Sequence, residues 1–384
     1  MISEKHMKPI DTGSACIRAP FSDYINMLKP DVPRQLVSES SFSNIEMLAS
    51  LVPGCLAFST FGFECPLGVD GAEADFLFSL RKDNSGPAIL SGRMPQHDFD
   101  PSLLAIPQWS QVRRFGTLWD SPPSPIFDGM DDVWMEFEVA SAHAAQNVRA
   151  PSIFFRPCRS ASKTHAWNPE DALEQIATVF AQLKGRRPPD ACTRNWMRCL
   201  ERLPRLTALF QVGIMIARSD SNTLRMCILT EGPESLRTLL RDIGWSGDFG
   251  GLDPMLHRLE PLFDRLSLHM DLGEEISGKI GIECQFPERK SPAREPRWRP
   301  FLDFLTGEGL CRAAKRDALI QYPGYRETEL ATCPAPLQRV AYRHFPLYRS
   351  FFVRSIYHIK LVMEPPGKWS AKAYLGVNHL WKAR

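Results

Sequence analysis

The sequence is poor in the marks that usually reveal a chemistry. Its ten cysteines include no C-x-x-C pair, and Cys192 and Cys199 lie seven apart beside Trp196 on a helix-like run. That spacing suits neither a metal nor a redox motif, and scattered thiols in a long chain read as buried side chains of a reducing compartment. There is no G-x-G-x-x-G and no P-loop, which disfavours dinucleotides and nucleoside triphosphates. There is no G-x-S-x-G elbow, so acyl transfer lacks support. Aspartate-rich DDxxD clusters are missing; Asp131-Asp132 is an isolated pair, and the sequence demands no metal. No apolar run approaches a membrane span, and Met1 to Ser14 lacks the apolar core of a signal peptide. The net charge of +2 comes without a basic tract. Lys184, Arg186 and Arg187 sit in a Gly/Pro turn and read as a solvated loop. These absences predict a cytoplasmic protein with no nucleic-acid or membrane partner.

What is present is periodicity. With 384 residues, 43% hydrophobic and 23% charged, the chain can bury a large core. Residues 1–40 show no clear period and read as a partly ordered lead-in to one domain over 41–384. A helix over 41–51 takes Ser41 or Ser43 as its N-cap. Strand pairs follow at 55–63 and 74–82, 132–139 and 151–157, 209–218 and 222–230, 265–272 and 276–286, and 353–363 and 369–377. A tight turn at 219–221 joins the third pair. Helix-like stretches at 101–114, 169–184, 191–203, 233–243, 252–263, 298–306 and 311–320 separate the pairs; Asn168-Pro169 supplies a cap and an N1 proline. The pattern is helix, strand, strand, helix, five times over, and hairpins imply antiparallel pairing.

The strand faces indicate the architecture. In 276–286, Ile276, Gly278, Ile280, Ile282, Cys284 and Phe286 oppose Ser277, Lys279, Gly281, Glu283 and Gln285. In 265–272, Leu266, Leu268, Met270 and Leu272 oppose Ser267, His269 and Asp271. Apolar faces should pack on the helices. The polar faces meet solvent in an open sheet or line a wet lumen in a closed barrel, and closure removes exposed edges. Those polar faces also carry Gly213, Gly281, Gly376, Trp134, Phe154 and Tyr374. Glycines and aromatics suit a ligand cavity better than open water, so a closed ten-stranded α/β barrel is predicted.

The second strand of every pair bears a basic residue on its polar face: Arg81, Arg156, Arg225, Lys279 and Lys372. In a closed barrel these cations would converge on an anion, with diphosphate the leading candidate. The bland alternative is that each pairs with a lumen acid; Asp75, Glu136, Glu138, Asp271 and Glu283 are available.

This layout resembles the prenyltransferase (PT) barrel of the ABBA aromatic prenyltransferases, which include indole- and peptide-modifying enzymes. The resemblance spans about residues 41–384, strong in layout and weak in literal sequence. AKAYLGV (371–377) is similar to the family's Lys-x-Tyr strand and implies that Lys372 and Tyr374 hold the diphosphate. SIFFRP (152–157), SLRKD (79–83), TLRMC (223–227) and SGKIGIE (277–283) imply the same for Arg156, Arg81, Arg225 and Lys279. FGFECP (61–66) resembles the strand-end carboxylate ahead of a proline and implies a catalytic role for Glu64. Only the last unit keeps the Lys-x-Tyr pair, so the expected tyrosine shield is thin, with Trp134, Phe154 and Met215 as replacement walls. Tyr357 joins them only if its strand turns that face inward, opposite to His358.

Prenyl transfer needs cations for the leaving diphosphate, aromatic faces for the allylic cation, and a carboxylate to orient the acceptor and take its proton. The resemblance therefore implies a prenyl diphosphate co-substrate, dimethylallyl or geranyl, and a small aromatic or peptide acceptor, with magnesium allowed but not demanded. Glu136 and Glu138 compete with Glu64 for the catalytic role; Glu64 also reads simply as the end of a strand. His358 reads first as a hydrogen-bonded wall residue and second as a base. Two other readings stand beside transfer: a non-catalytic barrel binding a peptide or small molecule in a tailoring pathway, and a barrel recruited to other tailoring chemistry.

Overall fold

A computed structural model describes residues 20–122, 124, 126–127, 130–139, 150–157, 168–203, 208–218, 222–286, 291–327 and 348–383. The turn expected at 219–221 lies outside them.

The strands are β1 (Phe61–Pro66), β2 (Asp75–Arg81), β3 (Asp132–Phe137), β4 (Ser152–Phe155), β5 (Leu209–Met215), β6 (Leu224–Thr230), β7 (Arg265–Leu272), β8 (Ile276–Gln285), β9 (Gly324–Glu327), β10 (Tyr348–Glu364) and β11 (Lys368–Ala383). Strands β1 to β8 pair in sequence order, β8 pairs with β10, β10 with β11, and β11 returns to β1. All of these pairings are antiparallel, so ten strands close into a barrel. Strand β9 adds to β10 beside Phe351 to Arg354, outside the closed ring.

The helices are α1 (Ser22–Leu28), α2 (Glu39–Ala49), α3 (Gly86–Ser91), α4 (Pro101–Leu104), α5 (Pro107–Asp120), α6 (Pro169–Lys184), α7 (Asp190–Glu201), α8 (Pro233–Asp242), α9 (Phe249–Leu259), α10 (Trp298–Gly307) and α11 (Ala313–Gln321). Each long helix turns an apolar stripe to the barrel. Trp109, Val112, Phe115 and Trp119 form that stripe on α5, and Trp298, Phe301, Leu302 and Leu305 on α10. These meet the outward strand faces, such as Phe61, Phe63, Phe76, Phe78, Leu268 and Ile282, in one continuous core between barrel and helices. Each fully buried side chain of this size contributes roughly 1.5–3 kcal/mol.

Several elements differ from the sequence reading for local reasons. The first strand begins at Phe61, because Gly54–Phe58 closes into a 3-10 turn behind Pro53. The stretch expected as one helix at 101–114 is split before Pro107, which starts α5. The N-cap of α2 is Ser38, whose hydroxyl accepts from the Ser41 N–H. Asn168 caps α6 as expected. Within the lead-in, Phe21, the N-cap of α1, and Tyr24, Ile25 and Leu28 on it repeat at helical spacing and are fully buried. No helix among the described residues is long and apolar enough to cross a membrane.

Candidate active site

Alternation along the strands sends Glu64, Asp75, Leu77, Glu136, Phe154, Met215, Arg225, Asp271, Lys360 and Tyr374 to the inside, where they border a cavity of about 600 Å³. Glycines make space for the larger inward side chains. A Cβ on Gly213 would fall 2.3 Å from the Phe154 ring, one on Gly281 2.6 Å from Lys360 Cε, and one on Gly376 2.3 Å from the Tyr357 ring.

Glu64 lies at the seam where β1 meets β11. Lys372 Nζ and the Tyr374 hydroxyl both donate to its carboxylate. Burial alone would push Glu64 up; Lys372, Tyr374 and the charge of Lys360 outweigh it and hold the group at about 2. Glu64 in turn raises the pKa of Lys372. Next along the wall, the Glu136 carboxylate forms no hydrogen bond or ion pair with a described residue. Burial first, and repulsion from Glu64 second, push it up to about 8. Two lumen carboxylates with widely separated pKa values are the arrangement from which acid and base roles arise.

Across the lumen, Arg225 grips Asp271 with both ends of its guanidinium, at 2.7 and 2.9 Å. Burial opposes the charge of Arg225, but Asp271 more than restores it; Asp271 itself is held below its ordinary value. At the cavity mouth Lys279 pairs with Glu364, and Arg218 with Glu138.

Below the cavity lies a buried polar node. Lys360 Nζ donates to His269 Nδ1 at 3.0 Å, and Cys227 Sγ is 3.2 Å from the same nitrogen. An acceptor Nδ1 places the His269 proton on Nε2, which faces Glu283 Oε1 at 2.8 Å. His358 Nε2 approaches that same oxygen at 3.1 Å, and its ring stacks on Tyr374 with centroids 4.3 Å apart. Burial lowers His269 to about 4 against the pull of Glu283, while Glu283 is held well below its usual range despite its own burial.

An apolar wall completes the lumen. Phe154, Met215 and Cys227 form a cluster apart from the main core, with Trp134 and Phe210 packed against it. Tyr357 reaches the interior by an irregularity: the β10–β11 register shifts between Ile356 and His358. That bulge turns Tyr357 over Gly376, where its hydroxyl accepts from the Asn378 amide at 2.9 Å, and leaves His358 inward as well. The two are not on opposite faces, as strict alternation would require.

The five cations expected to converge do not all do so. Arg225, Lys279 and Lys372 border the cavity; Arg81 and Arg156 do not. Arg81 ends β2 at the far end from Asp75, roughly 20 Å along the strand, half-exposed and paired with Asp83 at 2.9 Å. Arg156 lies just past β4, exposed, and donates to the Phe210 carbonyl at 3.0 Å. Parity specifies inside or outside; it does not specify height along the barrel. The other three each have a carboxylate partner: Arg225 takes Asp271, one of the acids the pairing alternative offered, while Lys279 and Lys372 take Glu364 and Glu64, which it did not. Sequence reasoning passed over Lys360 because it sits on the first strand of its pair, although it shares a face with His358.

Neither a protein-family model nor a curated protein matches the sequence. Among solved structures, the apo form of prenyltransferase PriB superposes with a TM-score of 0.51 at 13% identity, over 93% of this chain and 94% of that one. The fold is the PT barrel. AnaPT from Neosartorya fischeri aligns with a TM-score of 0.44 at 11% identity, over 97% of this chain and 94% of its own. The PT barrel accounts for the closed ten-stranded sheet, the helical jacket and the polar lumen; at this identity it says nothing about which reaction the lumen supports.

Proposed function

We propose that this chain transfers an allylic prenyl group from its diphosphate to an electron-rich aromatic or peptide side-chain acceptor in natural-product biosynthesis. One observation carries the reading: Glu64 and Glu136 share a cavity of about 600 Å³ with Arg225, Lys279, Lys360, Lys372 and the apolar side chains Phe154 and Met215. In this scheme the allylic C–O bond breaks and its electron pair stays on the diphosphate, which the lumen cations stabilise. The acceptor carbon attacks the allylic cation beside the Phe154–Met215 wall. Glu64, held ionised, orients the acceptor's N–H or O–H, and the Glu136 carboxylate takes the proton released. The lumen cations serve the diphosphate without a required metal, so turnover should survive a chelator. The likeness to a structure named as a prenyltransferase supports the reading at the level of fold.

A specific observation favours a second reading. Arg225, Lys279 and Lys372 already have carboxylate partners, which suits a barrel that binds a peptide or small molecule without transfer. Calorimetric titration with dimethylallyl and geranyl diphosphate, followed by turnover with aromatic and peptide acceptors, separates the two. Binding with product supports transfer. A chain that binds acceptors but neither diphosphate supports the second reading.

A further inference from the structure

We propose that Lys360, at the floor of the lumen, is the residue that anchors the anionic group of the substrate, and that Gly281 and the His269–Glu283 couple hold its amine in place. This rests on the reading that the lumen takes a prenyl diphosphate, and it assigns where in the lumen that anion sits. The cations nearer the mouth are committed elsewhere: Arg218 to Glu138, Arg225 to Asp271, Lys279 to Glu364 and Lys372 to Glu64. Of the cavity-lining cations, Lys360 alone forms no salt bridge with a described carboxylate. Among the described residues, its amine meets only the His269 nitrogen as a hydrogen-bond partner. The residue is 6% exposed yet borders the cavity.

A buried ammonium with no described carboxylate at ion-pair distance is costly even with the charges of Glu283 and Glu64 nearby, and an anion arriving from the cavity lowers that cost. Burial, and then the charge of Arg225, push the Lys360 amine down; a bound oxyanion would push it back up. Of the neighbouring carboxylates, Glu136 makes no contact with Lys360 and burial favours its protonated form, while Glu64 and Glu283 are already satisfied. Glu64 accepts from Lys372 and Tyr374, and Glu283 from Gln285 at 3.0 Å while facing two imidazoles. Two of the three ammonium donors are thus left for a ligand.

Lys360 is also placed with care. Its stem crosses β8 over Gly281, where any Cβ would lie 2.6 Å from Cε. Its amine contacts His269 Nδ1, and Nε2 of that ring lies 2.8 Å from Oε1 of Glu283, whose side chain is 6% exposed. Gly281 can therefore be used to move the amine without removing it. The atom that a methyl group would strike hardest is near the free end of a flexible side chain, and His269 Cβ, next at 3.3 Å, need give only a few tenths of an ångström, so the barrel can accept Gly281→Ala while Lys360 cannot keep its position.

The test is calorimetric titration of the full chain with inorganic pyrophosphate, with malonate as a carboxylate comparison. Lys360→Met should weaken pyrophosphate binding by about tenfold or more, the loss of a charge-assisted contact. Gly281→Ala should weaken it several-fold with the melting temperature retained. Lys279→Met, whose amine is already paired, should weaken it less than Lys360→Met. Wild-type affinity in both Lys360→Met and Gly281→Ala overturns the inference, as does a wild-type protein that binds no pyrophosphate or binds malonate equally well. Pyrophosphate binding through Lys360 without any prenyl product upholds the anchor and sinks the transfer reading. Product formation with an unaltered Lys360→Met affinity does the reverse.

Discussion

Glu64 and Tyr374 stand directly opposite one another on the β1–β11 ladder, and the tyrosine hydroxyl donates to the carboxylate across the seam that closes the barrel. Barrel closure and the assembly of this site are thus one event, since Lys372 reaches the same carboxylate from β11. A carboxyl held at about 2 when folded, against its ordinary 4.5, contributes stability above pH 4.5. That contribution is lost as pH falls toward 2. Thermal melts of wild type and Glu64→Gln should converge across this acid window and diverge above it, with wild type the more stable. A constant difference at all pH values would contradict the pairing.

Glu136 behaves in the opposite sense. Raised from 4.5 to about 8, it holds its proton in the folded state over a range where the unfolded chain has lost it. Its contribution therefore falls as pH rises from 4.5 to 8. Glu136→Gln should gain stability relative to wild type across that window, read as a widening difference in Tm. If Glu136 accepts the acceptor's proton, kcat/KM should rise with an apparent midpoint near pH 8, and Glu136→Gln should flatten that limb.

Asp271→Ala leaves the Arg225 guanidinium in the lumen without its bidentate partner. Each side chain is 20% exposed, so the cost should be on the order of 2–3 kcal/mol, below the ~3–5 kcal/mol of a fully buried broken pair. Chemical denaturation checks it. A loss within ~0.5 kcal/mol would mean that the pair adds nothing to the barrel.

Phe154→Ala should enlarge the apolar side of the cavity where the Phe154 ring fills the space left by Gly213. Preference should move from dimethylallyl toward geranyl diphosphate, by about tenfold in relative kcat/KM, within the range that a few methylenes command in an apolar site. An unchanged ratio would place the prenyl chain elsewhere in the lumen.

Much of this barrel could be read from alternation alone. Leu266, Leu268, Met270 and Leu272 point out to the helices, while His269 and Asp271 point in, because the strand period is two. That period carries no height coordinate, so Arg81 and Arg156 could not be told from Arg225 until the register of neighbouring strands was known. Nor does it foresee a bulge: one extra residue at Tyr357 turns two consecutive side chains inward. Helix α1 and its N-cap carry a short stripe, Phe21, Tyr24, Ile25 and Leu28, that is easily lost beside a segment without period. The Glu64–Tyr374 contact joins residues near the two ends of the chain, and only closure brings them together. The Lys360–His269–Glu283 node is likewise spread over three strands, each contributing one unremarkable polar residue.

The central claim is prenyl transfer within this lumen. Its most direct test is mass spectrometry of aromatic and peptide acceptors incubated with the purified chain and dimethylallyl or geranyl diphosphate, with released diphosphate quantified in parallel. Transfer yields an acceptor heavier by one prenyl unit, one diphosphate released per product, and loss of both in Glu64→Gln and Lys372→Met variants that still fold. Acceptors unchanged across both donors, with no diphosphate released above the buffer rate, would contradict it.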